Sequence, residues 1–225
     1  MNGEDFILDQ LNSIKNQTYK DFDLFIKDNF SEDKTKQIID KFKSENPQIN
    51  IYYLKGDGKH FANSYIYGLH QMSKEYLYYA FCDQDDIWEN YHLERSTKYF
   101  KNNNNKPAVY CSRTKLINEK GKIIGKSIHF KKPASFQNAL VQSIAGGNTN
   151  VWTKKFNKIL VNLNYKLPVS HDWFLYQTST FLGYKFIYCK RPLILYRQHE
   201  DNLVGSNTGF LNMCKRITMG LKGRF

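Results

Sequence analysis

The chain has 225 residues and a formal net charge of +12, with 41% hydrophobic and 16% aromatic residues. This composition excludes an intrinsically disordered protein, and the length is enough for one large domain or two small ones. No apolar stretch approaches the length of a membrane span, and the first residues lack the basic-then-apolar pattern of a signal peptide.

Helices and strands are predicted to alternate over the first hundred residues. In chain order they are a helix with Ile7, Leu11 and Ile14 at helical spacing, a strand (22–27), a helix (34–45), a strand (49–54), a helix (60–74) and a strand (76–82). Repeated strand–helix units predict parallel pairing with right-handed crossovers. In such sheets ligands bind beyond the C-terminal ends of the strands.

Three carboxylates end the last of these strands. Asp83, Asp85 and Asp86 lie within four positions, directly after an apolar run. Like charges this close repel one another, and burying them costs several kcal/mol unless a cation compensates. Mg²⁺ takes oxygen ligands and is usually shared between one or two carboxylates and substrate phosphates. The segment therefore predicts a metal–phosphate site, and the alternative is a solvated turn in which Asp86 caps a helix beginning near Glu89.

A polar stretch, residues 102–107, separates this regular pattern from a less regular one. The elements predicted after it are a strand (108–112), a hairpin turn (119–122), helices (135–144, 154–161 and 172–182) and short strands (185–189 and 193–197). Asp28 and Asp83 each follow a predicted strand, so we expect them to share one crevice.

Five segments in a fixed order carry a resemblance to a known family. They are Asn2-Gly3-Glu4 with residues 10–19, residues 28–33 (Asp-Asn-Phe-Ser-Glu-Asp), residues 82–88 (Cys-Asp-Gln-Asp-Asp-Ile-Trp), His171-Asp172-Trp173, and residues 195–199 (Leu-Tyr-Arg-Gln-His) with Asn202. Together they resemble the family 2 glycosyltransferases, and among these the bacterial rhamnosyltransferase-like enzymes of surface-polysaccharide synthesis. The resemblance implies the GT-A fold, an α/β, Rossmann-like architecture with a mostly parallel central sheet flanked by helices.

The resemblance also implies a reaction and its residues. A sugar would pass from a dTDP- or UDP-linked donor to a glycan or lipid-linked acceptor, with Mg²⁺ or Mn²⁺ as cofactor. The implied metal ligands are Asp85, Asp83, Asp86 and His199. The implied contacts to the nucleotide sugar are Asp28, Asp83, Gly147 and Arg197. The implied catalytic base is Asp172.

The chemistry of glycosyl transfer supports these roles. A departing diphosphate needs positive charge, which a metal on Asp85 or a cation such as Arg197 can supply. An inverting reaction needs a carboxylate to deprotonate the acceptor hydroxyl, and Asp172 is one of only four acidic residues after residue 100. The alternative for Asp172 is an N-cap of the helix over 172–182.

Two other candidates, His199 and Gly147, keep two interpretations. His199 is either a third metal ligand, since neutral imidazole commonly binds metals, or a surface histidine before a loop. Gly147 lies in a Gly-Gly-Asn-Thr segment that is either part of the sugar pocket or an ordinary turn. Lys59 and His60, near a glycine turn, are weaker candidates for phosphate contact.

Two departures from the family pattern matter for activity. The chain opens on the Asn-Gly segment without the strand that the family places before it, so we expect the GT-A fold to lack its first strand. Asn29 and Phe30 follow Asp28 where the family has Asp and Gly, and a Phe restricts the close backbone approach that Gly allows. The second hypothesis is therefore a catalytically impaired, truncated binding subunit.

The net charge differs in sign between the two halves of the chain. Residues 1–100 carry a net charge of −5 and residues 101–225 a net charge of +17. We divide the single domain into a nucleotide-sugar-binding half (1–105) and an acceptor-binding, catalytic half (106–205), followed by a basic amphipathic tail (206–225).

The tail predicts peripheral contact with a membrane surface, and the alternative is a helix packed on the domain. Four scattered cysteines without a CxxC pair indicate reduced thiols in a cytoplasmic protein, at most peripheral on the inner membrane. No nucleic-acid-binding motif accompanies the basic charge, so we expect no nucleic-acid partner.

Overall fold

The computed structural model describes residues 1–56, 61–163 and 170–199. The helices are α1 (Ile7–Lys15), α2 (Thr35–Glu45), α3 (Phe61–Gln71), α4 (His92–Asn102), α5 (Phe136–Ala139), α6 (Lys154–Asn162) and α7 (His171–Phe181), with a 3-10 turn at Gly147–Thr149. The strands are β1 (Asp23–Lys27), β2 (Asn50–Leu54), β3 (Tyr78–Ala80), β4 (Ile87–Trp88), β5 (Ala108–Asn118), β6 (Ile123–Lys126), β7 (Val151–Thr153) and β8 (Lys185–Gln198).

The described strands form two sheets. β1 and β2 pair in parallel, and the larger sheet has the order β3-β7-β5-β8-β4, with β6 paired to β5. In the larger sheet β5 and β8 are parallel, whereas the pairs β3–β7, β5–β7, β4–β8 and β5–β6 are antiparallel. The predicted α/β fold with flanking helices is confirmed, but the sheet is mixed rather than mostly parallel. The regular strand–helix alternation stops after β3, and later strands return as antiparallel neighbours.

Apolar residues at helical spacing bury the helices against these sheets. Ile7 and Leu11 of α1 meet Ile39 and Phe42 of α2 over Ile51 of β2. A second and larger core surrounds β5 and β7, and its fully buried members include Val109, Trp152, Phe156, Leu160, Leu175 and Tyr176. Helices α6 and α7 are thereby fixed on the sheet that delivers the acidic residues.

Two predicted elements differ in extent. The helix predicted over 135–144 is confined to α5, because the carbonyl of Ala139 accepts hydrogen bonds from the side chains of Trp173 (2.6 Å) and Gln177 (3.2 Å). The two short strands predicted over 185–197 are one strand, β8. Its pairing with β5 shifts register near Pro192, so that residues 190–191 form an irregularity inside a continuous strand.

Some predictions fall outside the described residues. These are the roles of Lys59, His60 and Asn202 and the membrane contact of the tail (206–225), which stay predictions. Within residues 1–56, 61–163 and 170–199, no helix combines the length and apolarity that a membrane span requires.

Candidate functional site

The three carboxylates predicted as metal ligands lie together beyond the C-terminal end of β3. Asp83, Asp85 and Asp86 each present an oxygen, and these three oxygens lie within 4.8 Å of one another. They belong to the acidic turn, which we define as residues 83–86 between β3 and β4. Oxygen ligands at this spacing suit a hard divalent cation, so the donor set fits Mg²⁺ or Mn²⁺.

Asp86 anchors the acidic turn inside the protein. Its side chain is fully buried; Oδ1 accepts the backbone N–H of Arg197 (3.0 Å), and Oδ2 accepts the side-chain amide of Asn148. Burial, with repulsion from Asp83 and Asp85, raises the pKa of Asp86 well above its usual range. The alternative that Asp86 caps a helix is wrong, because β4 intervenes and the residue before α4 is Tyr91.

The surroundings of Asp83 disfavour its charged form. Its Oδ1 accepts a hydrogen bond from the hydroxyl of Tyr65, which also lies 3.0 Å from the carbonyl oxygen of Cys82. Burial raises the pKa of Asp83 to about 7, and repulsion from Asp85 and Asp172 adds to the effect. The repulsion between neighbouring carboxylates that the sequence predicts is therefore present in the fold, and a bound cation would relieve it.

His199 meets the acidic turn directly. Its Nε2 lies 2.8 Å from Oδ2 of Asp85, and its ring packs on Phe6 at 5.1 Å between centroids. The structure thus brings His199 to the predicted metal site, while its role as a ligand stays a prediction.

Arg197 is buried, with only 2% of its side chain exposed. Its guanidinium donates to the carbonyl oxygens of Asp85 (2.9 Å) and Glu119 (2.5 Å) and to the carboxylate of Asp9 (2.8 Å), and it lies over the ring of Phe6. These bonds tie β8 to the acidic turn and to α1. Contact between Arg197 and a diphosphate stays a prediction, whereas the geometry shows a residue that holds the acidic turn in place.

Asp172 lies in the first turn of α7, where the positive end of the helix dipole favours a carboxylate. The alternative that it is the N-cap is wrong, since Ser170 occupies that position. The preceding residue, His171, packs on Tyr65, whose hydroxyl binds Asp83, so the start of α7 lies beside the acidic turn. The predicted base and the predicted metal ligands are brought together.

Gly147 and Asn148 join the acidic turn to α7. A Cβ placed on Gly147 would overlap Nε2 of the buried His171, so only glycine fits this contact. The next residue, Asn148, is the one whose amide binds Asp86. The Gly-Gly-Asn-Thr segment is therefore more than a connecting turn, and a contact of Gly147 with the sugar stays a prediction.

Asp28 lies just beyond β1 and accepts hydrogen bonds from the backbone N–H (3.2 Å) and hydroxyl (2.5 Å) of Ser31. Residues 1–4 connect this loop to the acidic turn: the backbone N–H of Asn2 donates to Ser31, and the amino group of Met1 donates to Gln84. Asp28 thus lies on the same side of the molecule as the acidic turn. A crevice shared with Asp83 stays a prediction.

Tyr65 is the site residue that sequence reasoning missed. Its ring packs at a tilt on His171, at 4.2 Å between centroids, while its hydroxyl binds Asp83. A tyrosine on an amphipathic helix has the pattern of an ordinary core residue, so periodicity offers no signal for it. The amide of Asn148 was missed for a similar reason, since asparagine after two glycines is typical of turns.

Comparison with known proteins places this chain in a family. The sequence matches the profile of Glycosyl transferase family 2 over residues 1–173. The dTDP-rhamnosyl transferase RfbG of Shigella flexneri is 32% identical over 229 residues, which cover 96% of this chain and 76% of that protein.

Solved structures share the fold. TarS of S. aureus in complex with UDP-GlcNAc superposes with a TM-score of 0.65 at 18% identity, covering 89% of this chain and 57% of that one. The mannosyltransferase PcManGT of Pyrobaculum calidifontis, in complex with GDP-Man and Mn²⁺, gives a TM-score of 0.63 at 16% identity, covering 97% and 58%. The chain therefore spans little more than half the length of these solved chains. The fold is the GT-A fold, and the chain belongs to glycosyl transferase family 2 and is a glycosyltransferase.

Proposed function

We propose that the chain is a metal-dependent, inverting glycosyltransferase. In this proposal it moves a rhamnose-like sugar or a hexose from a nucleotide diphosphate sugar to a glycan or lipid-linked acceptor during cell-surface polysaccharide synthesis. The observation that carries the proposal is the set of three carboxylate oxygens within 4.8 Å, next to the start of α7, where His171 packs on the Tyr65 that binds Asp83.

The relatives support the choice of donor. The Shigella protein is described as a dTDP-rhamnosyl transferase, which supports a dTDP-linked sugar. The solved structures hold UDP-GlcNAc and GDP-Man, which supports a nucleotide diphosphate sugar more broadly. An acceptor carried on a lipid would agree with peripheral membrane contact through the tail (206–225).

The acidic turn forms the donor half of the proposed site. Asp83, Asp85 and Asp86, with His199, would hold Mg²⁺ or Mn²⁺, and Asp86 also fixes the turn through its bonds to the protein. When bound, the cation supplies positive charge to the departing diphosphate. Asp28 would contact the nucleotide from its place beyond β1.

The start of α7 forms the acceptor half. Asp172 would accept the proton of the acceptor hydroxyl as that oxygen attacks the sugar, which is the general-base step of an inverting transfer. Gly147 would line the sugar pocket between the two halves. The buried packing of His171 and Leu175 holds α7 rigid, so the position of Asp172 is set before substrate arrives.

A transfer assay tests the proposal. The purified chain is incubated with dTDP-rhamnose or UDP-hexoses and glycan acceptors, with Mn²⁺ or Mg²⁺ or with EDTA. We expect Asp85→Asn and Asp172→Asn each to lower transfer by about 10²–10⁴-fold. The exposed Asp21→Asn serves as the matched control and should keep wild-type activity.

Measurements of nucleotide binding distinguish the donor half of the proposed site from the acceptor half. In titration calorimetry with UDP or dTDP and Mn²⁺, Asp172→Asn should bind like the wild type, whereas Asp85→Asn should lose metal-dependent binding. If both variants transfer sugar at the wild-type rate, the mechanism is wrong. A wild-type chain that binds nucleotide tightly but transfers no sugar would instead support a binding subunit.

A further inference from the structure

We propose that Tyr65 is a positioning residue that couples the acidic turn to the first turn of α7, and that sugar transfer depends on its hydroxyl. The inference rests on the proposed function for the roles of Asp83 and Asp172. It adds a residue from α3 that joins the two halves of the site.

The first contact fixes Asp83. The Tyr65 hydroxyl donates to Oδ1 of Asp83, and the same hydroxyl oxygen lies 3.0 Å from the carbonyl oxygen of Cys82. Burial raises the pKa of Tyr65 well above its usual range, so the group stays a donor. A carboxylate with one oxygen held in this way presents its other oxygen in a defined direction, as a metal ligand must.

The second contact reaches the neighbour of the proposed base. The ring of Tyr65 packs on His171 at 4.2 Å and on Phe81 at 4.7 Å between centroids. His171 in turn lies edge-on to Phe81 at 5.2 Å. The three rings pack on one another, so the orientation of Tyr65 and the position of His171 are coupled. His171 directly precedes Asp172, and a displacement of its ring would move the first turn of α7.

A second connection runs alongside the first. His171 contacts Gly147, and the amide of Asn148 binds Asp86 at the other end of the acidic turn. Asp83 and Asp86 are thus each linked to α7, one through Tyr65 and one through the 3-10 turn. Loss of the Tyr65 hydroxyl should therefore loosen the alignment of the two halves without dismantling the site.

The variant Tyr65→Phe tests the inference, because it keeps the ring and removes only the hydroxyl. We expect kcat for transfer to fall about tenfold or more while KM for the donor changes less than about threefold. The matched control is Tyr76→Phe, which removes a tyrosine hydroxyl bound to Asp23 (2.6 Å) at the opposite end of β1 from Asp28. A Tyr65→Phe enzyme with wild-type kcat would overturn the inference.

Hydrogen exchange tests the coupling without any turnover. The backbone N–H of Phe174 donates to the carbonyl of Ser170, so amides from residue 174 onward report opening of the first turn of α7. We expect Tyr65→Phe and Asp83→Ala, which removes the acceptor, each to speed exchange over residues 174–177 by about tenfold, and the double variant to add little. Tyr76→Phe should leave these amides unchanged.

The transfer assay and hydrogen exchange test the proposed function and the role of Tyr65 separately. If the wild-type chain transfers no sugar from any donor, the proposed function fails, yet exchange still decides whether Tyr65 couples the two halves. If exchange over residues 174–177 is the same in Tyr65→Phe as in the wild type, Tyr65 is an ordinary core residue and the inference is wrong.

Discussion

At the scale of single residues, two fully buried polar side chains, Asp86 and His92, differ in whether they are hydrogen-bonded. Asp86 is fully buried and both of its carboxylate oxygens accept hydrogen bonds. His92 is also fully buried, but neither ring nitrogen has a hydrogen-bond partner among the described residues. Burial lowers the pKa of His92 to about 3, so the imidazole is neutral in the folded protein.

Acid should therefore destabilise the protein through His92. Its pKa in the folded state, about 3, lies below the ordinary value of 6.5. The contribution of neutral His92 to the free energy of unfolding is complete above pH 6.5. It is lost as the pH falls towards 3, because the unfolded chain then binds a proton that the folded chain excludes. The full loss is on the order of 5 kcal/mol.

Melting temperatures measured between pH 4 and pH 7 check this prediction. The wild-type curve should fall with acid, and His92→Phe, which keeps the packing against Trp88, should give a shallower curve. The exposed His129→Asn is the control and should follow the wild type. Parallel curves for the wild type and His92→Phe would contradict the assignment.

Gly147 should tolerate no side chain. In Gly147→Ala the new methyl group overlaps His171, so the 3-10 turn or α7 must move. We expect a loss of about 1–3 kcal/mol in the free energy of unfolding, measured in urea, and a larger relative loss of transfer activity. Gly125→Ala is the control, since its Cβ would lie 3.6 Å from Leu116 in ordinary contact. Equal effects of the two changes would rule out the contact as a constraint on the site.

Part of the candidate site could be predicted from these residues alone. Three carboxylates after an apolar run indicate a cation site because burying their charges together without a cation is costly. Tyr65 and Asn148 could not be predicted, because their function depends on which way a side chain points after the chain has folded. Arg197 was found by its motif, but its partners, Asp9 and the carbonyl of Glu119, are set by tertiary structure.

At the scale of elements, β8 connects the site. It pairs with β5 over eleven residues and with β4 at Ile194 and Leu195, and its end brings Arg197 and His199 to the acidic turn. The sequence predicted its two halves as separate strands, because Lys190, Arg191 and Pro192 interrupt the apolar pattern. The short strands β4 and β7 were not predicted, since two or three residues give no periodicity.

Removal of the Arg197 guanidinium should weaken this connection. Arg197→Met leaves the carbonyls of Asp85 and Glu119 without a buried donor, and we expect the free energy of unfolding to fall by about 3–5 kcal/mol. Asp9→Asn is the matched change on the other partner. Since Asp9 is 56% exposed, its loss should cost less than about 1 kcal/mol. Urea unfolding of both variants checks the difference, and equal losses would show that the ion pair, not the carbonyl bonds, stabilises β8.

For the molecule as a whole, the acidic turn is a concentration of negative charge in a protein with a net charge of +12. The α/β class and the order of most helices were predictable from helical spacing and alternation. The antiparallel returns of the larger sheet were not, because strand direction is decided by pairing between segments far apart in sequence.

Metal and nucleotide together should stabilise the folded chain. At a ligand concentration 100 times Kd the gain is about 2.7 kcal/mol, which for a chain of this size raises Tm by about 5–10 °C. We expect this shift with Mn²⁺ and UDP or dTDP, its reversal by EDTA, and its absence in Asp85→Asn. An equal shift in Asp85→Asn would place the metal elsewhere.

The bonds of Arg197 also set the order in which the molecule can be built on the ribosome. Its backbone N–H meets Asp86 across 111 positions of the sequence, and its guanidinium meets Asp9 across 188. The nascent chain therefore holds three carboxylates within four positions without the bonds of Arg197 while the next hundred residues are being translated. Contacts this distant in sequence form late in folding, so the candidate site is completed only when β8 has been synthesised and paired.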